Sequence, residues 1–366
     1  MDAALADLRR LLGPTGTLAA PTLAAPTLAA PALAAPELAA RELDEARWTD
    51  VLRLAEAWEL TPVLAAVAVR AGVIPDAATL PPGLADRVAP TSPHGVLLLA
   101  RAAAITRTAD LLAQGRAVLD ALRFAGVRAV PLKGLHLLLA GVWPDPAARS
   151  MRDLDVLVHP DHASRARSTL ADLGYRPLET RGSRRPHHHL VPMALSGRPG
   201  TVELHTAPLP RRWDGLLPAT DVFQRAAETG RLADVDVLVH VVAHAQLADH
   251  GRWLVTAPAR AALDAAFLVR RAPALVDVVP QSPVLQRALT RHWRDAAFLT
   301  GAGEEGGRRW EAAAWLARRP AARLWYWRLY GSPRALAGDR MRELYGDDAP
   351  LWMTRARHAA RVLSNR

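Results

Sequence analysis

Asp153 and Asp155 stand one residue apart in the apolar run DLDVLV. In a β-strand that spacing puts both carboxylates on one face, about 7 Å apart along the chain. Two such acids repel each other, and burying them without a counter-charge is costly. A divalent cation answers both problems, and hard carboxylate oxygens suit Mg²⁺. Taken alone, the pair is equally well read as exposed strand-edge acids. Glu203 adds weight to the metal reading. In the run TVELH it shares a strand face with His205, and an adjacent antiparallel strand would bring it beside the aspartates. Three acids on two strands form a donor set for two Mg²⁺ or Mn²⁺ ions, roughly 3.5–4 Å apart, clamping a phosphoryl transfer.

Lys133 and Gly134 close an earlier apolar run, VRAVPL, and precede the helical pattern of LHLLLAGVW. A strand-to-helix turn offers free backbone N–H groups and the positive end of a helix dipole, both of which attract phosphate. Glycine lets a phosphate approach the backbone, and Lys133 adds a compact charge. A plain β-to-α turn has the same look. The composition singles out the lysine, however. Of 46 basic residues in the chain, Lys133 is the one that is not arginine.

The elements that must position these groups follow from periodicity. Residues 1–45 form a low-complexity Ala/Pro-rich segment with TLAAP-type repeats from Thr17 to Arg41. Proline at every fifth position favours an extended tether. Residues 46–125 read as helical, with Trp48, Val51, Leu52, Leu54 and Ala55 on one face and a long amphipathic run from Gly95 to Leu122. Residues 126–224 change texture to short β-type runs. VRAVPL and DLDVLV are strands, Pro160 opens a helix that Gly174 stops, and His189–Leu195 pairs with Thr201–Thr206 across the turn SGRPG. Helical periodicity returns over 225–366. The expected fold is therefore α+β, a small mixed-sheet core flanked by helical regions at both ends.

Composition narrows the function classes. With no cysteine, the chain has no disulfide, thiolate metal site or cysteine nucleophile. The uncharged stretch Leu11–Pro36 has prolines at 14, 21, 26, 31 and 36, which break the helix that a membrane span requires. No membrane partner and a cytoplasmic location are expected. The net charge is +10, and residues 308–366 carry 13 arginines against 5 acids. The segment WEAAAWLARRPAARLWYWRLY mixes aromatics with arginines in the manner of a nucleic-acid surface. Trp310, Trp315 and Leu316 fit a core-facing helical stripe better, so nucleic acid is not the favoured partner.

The blocks LKG, WPDPAARSMRDLDVLV, LADLGY, HHHL and VELH occur in order between Val127 and His205. Together they resemble an uncharacterised nucleotidyltransferase family of the polymerase-β-like superfamily. HVVAHAQLADHGRWL and LDAAFL, within 240–268, resemble the family's C-terminal helical region. The resemblance implies a polymerase-β-like core and transfer of a nucleotide from a nucleoside triphosphate. It further implies that Asp153, Asp155 and Glu203 hold the metals and that Lys133, Gly134 and Arg149 face the triphosphate. The HHH run, with His189, and the later His205 would wall the nucleotide or acceptor site. The superfamily's usual Gly-Ser or Gly-Gly turn is replaced here by Lys-Gly-Leu, and Gly134 lies 19 residues before Asp153, a divergence the family shares.

His240 and His244 have the i, i+4 spacing of a zinc-protease helix, but Val241 stands where the catalytic Glu belongs. They read better as a helix-packing pair. Asp249-His250 reverses the order used by metal phosphohydrolases. The leading expectation is a Mg²⁺-dependent nucleotidyltransferase. A silent nucleotide-binding module or a metal-dependent phosphohydrolase is the alternative. The acceptor, whether small molecule, peptide or RNA, is not written in any motif.

Overall fold

The protein's structure, a computed structural model, describes residues 2–12, 39–77, 91–178, 188–249 and 259–299, with isolated positions beyond them. The proline repeat up to residue 38, His187, His250 and nearly all of the 310–330 segment lie outside the described residues. The chain divides into two compact units, Met1–Trp310 and Glu311–Arg366, and the first holds all the elements below. Among the described residues no helix is long and apolar enough to cross a membrane.

Among the described residues the core is preceded by α1 (Ala3–Leu12), α2 (Glu45–Ala57), α3 (Thr61–Arg70) and α4 (Pro93–Phe124). Within the segment 1–45, α1 buries Leu5, Leu8, Leu11 and Leu12. Its Arg9 Nε donates to the Phe298 carbonyl at 2.7 Å and the guanidinium lies 4.1 Å over the Phe298 ring. Long α4 starts cleanly because Ser92 Oγ accepts from Gly95 N–H at 3.1 Å and Pro93 opens the first turn.

The core follows as β1 (Ala129–Pro131), α5 (Lys133–Leu139), β2 (Asp153–Val158), α6 (Ala163–Asp172), β3 (Arg176–Pro177), β4 (Met193–Ala194) and β5 (Thr201–His205). The sheet order is β1-β2-β5-β4-β3. β2 and β5 are parallel and the other pairs antiparallel. The fold class is the expected α+β with a small mixed sheet. Beyond it come α7 (Ala219–Arg225), α8 (Asp234–Ala243), a π-helical turn His244–Ala248, α9 (Ala259–Arg271) and α10 (Pro283–Leu299).

Two details differ from the sequence expectation. First, β5 runs parallel to β2, where an antiparallel neighbour was expected. The chain leaves β2 through α6 and returns by the β3–β4–β5 meander, so β5 enters the sheet in the direction of β2. Second, the strand expected over His189–Leu195 shortens to Met193–Ala194. His189 bridges His205, yet Met193 pairs with Val202, so one extra residue is inserted between the two pairings. That is a bulge, and Pro192, which has no N–H to give a ladder, sits within it.

The α4 helix underlies the sheet face away from the acids. Gln114 Nε2 donates to the Gly200 carbonyl at 3.2 Å, and a Cβ on Gly200 would lie 2.3 Å from Leu111 Cδ2. Gly115, one turn on, meets α5, where a Cβ would lie 2.5 Å from Leu135 Cδ1. Leu135 is fully buried and has little room to yield. Gly115→Ala is therefore expected to cost about 1–3 kcal/mol by overpacking. In denaturant unfolding, adding Leu135→Ala to Gly115→Ala should cost less than Leu135→Ala does in the parent, because the new methyl fills part of the space.

Candidate active site

Asp155 and Glu203 are direct partners in the parallel β2–β5 register, and Asp153 pairs with Thr201. Direct neighbours on one sheet face sit about 5 Å apart, so register alone brings two carboxylates together. His205 follows on the same face of β5. Lys133 Nζ donates to Asp155 Oδ1 at 2.7 Å, and His205 Nε2 meets the same oxygen at 2.7 Å. His205 Nε2 also lies 3.8 Å from Glu203 Oε2. Asp155 is 1% exposed. Among the described residues Asp155, Glu203 and His205 each present a donor atom within 4.8 Å of the others, as a metal site requires. Asp153 begins β2, two residues before Asp155 on the same face, and is not one of this trio.

The electrostatics divide the three acids. Burial works to raise the Asp155 pKa, but the His205 hydrogen bond and the Lys133 charge outweigh it and hold this carboxyl well below the usual range. Burial and the charge of Asp155 push Asp153 and Glu203 upward. Burial opposes the charge on Lys133, yet Asp155, Asp153 and Glu203 together raise its pKa, so it is a fixed cation. Burial draws His205 down to about 4 against the pull of Asp155. The ring is neutral near pH 7, and since an ionised carboxylate only accepts, Nε2–H is the donor to Asp155.

Lys133 adopts φ +45°, a left-handed conformation that costs a non-glycine residue about 1–2 kcal/mol. It turns the chain from β1 into α5 while keeping Nζ on Asp155. Such strain persists where surrounding contacts over-determine it, and it concentrates at functional sites. The positive φ falls on Lys133 and not on Gly134.

Gly134 answers a different demand. A Cβ there would lie 2.3 Å from Arg149 Nη1 and 3.1 Å from Met151 Sδ. Arg149 thus packs against the turn that opens α5. It is 5% exposed, and its Nε and Nη2 donate to the two oxygens of Asp264 in α9, both at 2.8 Å. Trp143 Nε1 donates to the same carboxylate at 2.8 Å. The guanidinium is drawn inward because a buried, doubly bonded aspartate is its partner.

The rings of His188 and His189 lie 5.3 and 5.5 Å from that of His205, and His189 bridges His205 across the sheet. Burial, with neighbouring His205 and His189, lowers His188 to about 3. His240 is buried, its Nε2 donating to the Pro208 carbonyl at 3.0 Å, and His244 Nδ1 meets Asp249 Oδ2 at 2.9 Å. Arg260 in α9 is a functional candidate without a sequence signal. It bonds Glu59 at 2.7 Å, and its charge acts on Asp153.

A family model described as an uncharacterised nucleotidyltransferase matches residues 44–301. The chain belongs to this family. The matched span includes Lys133, both aspartates of β2, Glu203, His205 and the Arg149–Asp264 pair. No curated protein and no solved structure matches the chain.

In this nucleotidyltransferase-family chain the Arg149–Asp264 pair ties α9 to the segment between α5 and β2. Breaking it on one side strands a buried charge. Asp264→Ala is expected to lose about 3–5 kcal/mol in chemical denaturation. Gly134→Ala, which pushes on the guanidinium, should lose about 1–3 kcal/mol. If Gly134 instead served only a ligand, Gly134→Ala would unfold like the parent.

Proposed function

We propose that the protein is a divalent-metal-dependent nucleotidyltransferase that moves a nucleoside monophosphate from a nucleoside triphosphate to an acceptor hydroxyl. The observation that carries this is the lateral pairing of Asp155 with Glu203, with Lys133 bound to Asp155. Asp155 and Glu203 supply hard carboxylate oxygens that suit Mg²⁺ and Mn²⁺ alike, while His205 Nε2–H stays on Asp155. Asp153, Asp155 and Glu203 would hold the metal. When bound, Mg²⁺ or Mn²⁺ would neutralise phosphate charge and lower the pKa of the acceptor hydroxyl.

The chain's own groups then have distinct tasks. Asp155 stays ionised under both of its donors. Lys133 keeps one positive charge beside the carboxylates, placed to meet phosphate oxygens as a compact point charge. Glu203, made more basic by burial and by Asp155, is suited to take the acceptor's hydroxyl proton on a carboxylate oxygen. The acceptor oxygen forms a bond to the α-phosphorus, the α–β bridging bond breaks, and pyrophosphate leaves with that electron pair. Most of the rate would come from positioning and charge neutralisation. His188, His189 and His205 wall the nucleotide or acceptor side.

The test is transfer of label from α-labelled nucleoside triphosphate, with pyrophosphate release from γ-labelled substrate, across small-molecule, peptide and RNA acceptors. Asp155→Asn should lower turnover by about two to three decades with the folded near-UV spectrum retained. Tight nucleotide binding without turnover on any acceptor would favour a silent binding module. A second expectation concerns Lys133→Arg. A guanidinium fork is larger and planar where the ammonium is a compact charge on Asp155, so kcat/KM should fall about tenfold or more. Parent-like kinetics at limiting and saturating triphosphate would remove Lys133 from the site.

A further inference from the structure

A cavity of about 540 Å³ lies along β1, between the C-terminal half of α4, α5 and the turn after α7. Neither the paired carboxylates nor Lys133 line it. Val127, Val130, Pro131, Leu139 and Phe223 form its apolar walls. Arg116, Arg123, Arg128 and Arg231 stand around it against a single carboxylate, Asp120. Asp120 accepts from Arg123 at 2.8 Å, which leaves three guanidiniums with no carboxylate partner among the described residues. One of them, Arg128, lies 5.3 Å over the Phe223 ring.

Exposed arginines are common in this chain and would not make a site by themselves. His136 is the independent observation. It lines the cavity, is 2% exposed, and has no hydrogen-bond partner on either ring nitrogen. Leaving a buried polar group unsatisfied is destabilising, and such groups in native proteins point to a ligand or an ordered water. Burial lowers His136 to about 4, with Arg231 and Arg271 lowering it further and Asp234 opposing. At neutral pH the ring therefore offers one N–H donor and one acceptor. His136 also borders a smaller chamber of about 260 Å³ with Arg225, Arg231, Asp234 and Arg271. There Arg225 is committed to Asp236 and Arg271 to the Ala140 carbonyl.

We propose that the β1 cavity is a second ligand site, for a small organic phosphate whose apolar body lies against Phe223 and whose phosphate meets Arg231, Arg116 and the His136 ring. The volume suits a small molecule. The apolar walls favour an ester over inorganic phosphate, and the three uncommitted guanidiniums favour a phosphate dianion over a neutral ligand. His136 lies one turn after Lys133 on the seven-residue α5, so a ligand there presses on the helix that begins at the candidate active site.

The experiment is isothermal titration of the full chain with phenyl phosphate, with inorganic phosphate and benzyl alcohol as comparators. Phenyl phosphate should bind saturably and about tenfold or more tighter than either comparator. Arg231→Gln combined with Arg116→Gln, both surface changes, should weaken it about tenfold or more, and so should His136→Gln. Lys133→Gln should leave it unchanged. Absence of saturable binding at about 10 mM probe would overturn the site. So would binding that Lys133→Gln abolishes and the arginine variants keep, because the probe would then occupy the candidate active site. Parent-like affinity in His136→Gln would overturn the role of the histidine and assign its ring to water.

Discussion

A carboxylate charge inside a β-strand is among the costlier things a small sheet can contain, and Asp155 carries one almost fully shielded from solvent. Two donors on one oxygen make it tolerable, Lys133 from the edge of the sheet and His205 from the neighbouring strand. Each donor constrains an element. Lys133 must take a left-handed backbone to turn into α5 while keeping Nζ on Asp155. His205 must sit on the same sheet face, which the parallel register of β2 with β5 secures and which at the same time sets Glu203 beside Asp155. The site's geometry follows from satisfying this single buried charge.

A second buried aspartate does similar work at a distance. Asp264 accepts from Arg149 and Trp143, joining α9 to the segment that enters β2. The guanidinium needs the space beside Gly134, so the same contact also shapes the turn that begins α5. Lys133 is thus constrained twice, by its bond to Asp155 and by the packing of Arg149 against the adjoining Gly134. Arg260, on the same α9, brings a further cation toward Asp153. The helices after the core are part of the site's construction as well as its cover.

Much of this was legible in the sequence because it rests on local pattern. Period-two alternation placed Asp153 with Asp155 and Glu203 with His205, and the glycines and prolines marked the turns around α6 and the β4–β5 hairpin. The rarity of lysine drew attention to Lys133. The rest depends on pairings between distant residues. No spacing tells whether β5 lies parallel or antiparallel to β2, since that follows from the path of the intervening meander. The triphosphate role expected of Arg149 came from the family resemblance alone. Its hydrogen-bonded partner Asp264 lies 115 residues away, where no local signal reaches. Arg260 sits in an amphipathic helix and His136 in a short, largely buried one, and only their neighbours in space distinguish them.

The most direct test of the account is equilibrium binding of Mn²⁺, followed by electron paramagnetic resonance, to the parent chain and to Asp155→Asn and Arg149→Gln variants. If the registered acids of β2 and β5 form the metal centre, the parent binds Mn²⁺ saturably and Asp155→Asn loses at least about tenfold in affinity. Arg149→Gln, where the fold survives, keeps a measurable site because Arg149 is bonded to Asp264 rather than to the β2 and β5 acids. Mn²⁺ binding by Asp155→Asn as tight as by the parent would contradict the account, since the carboxylate on which the whole arrangement turns would then hold nothing.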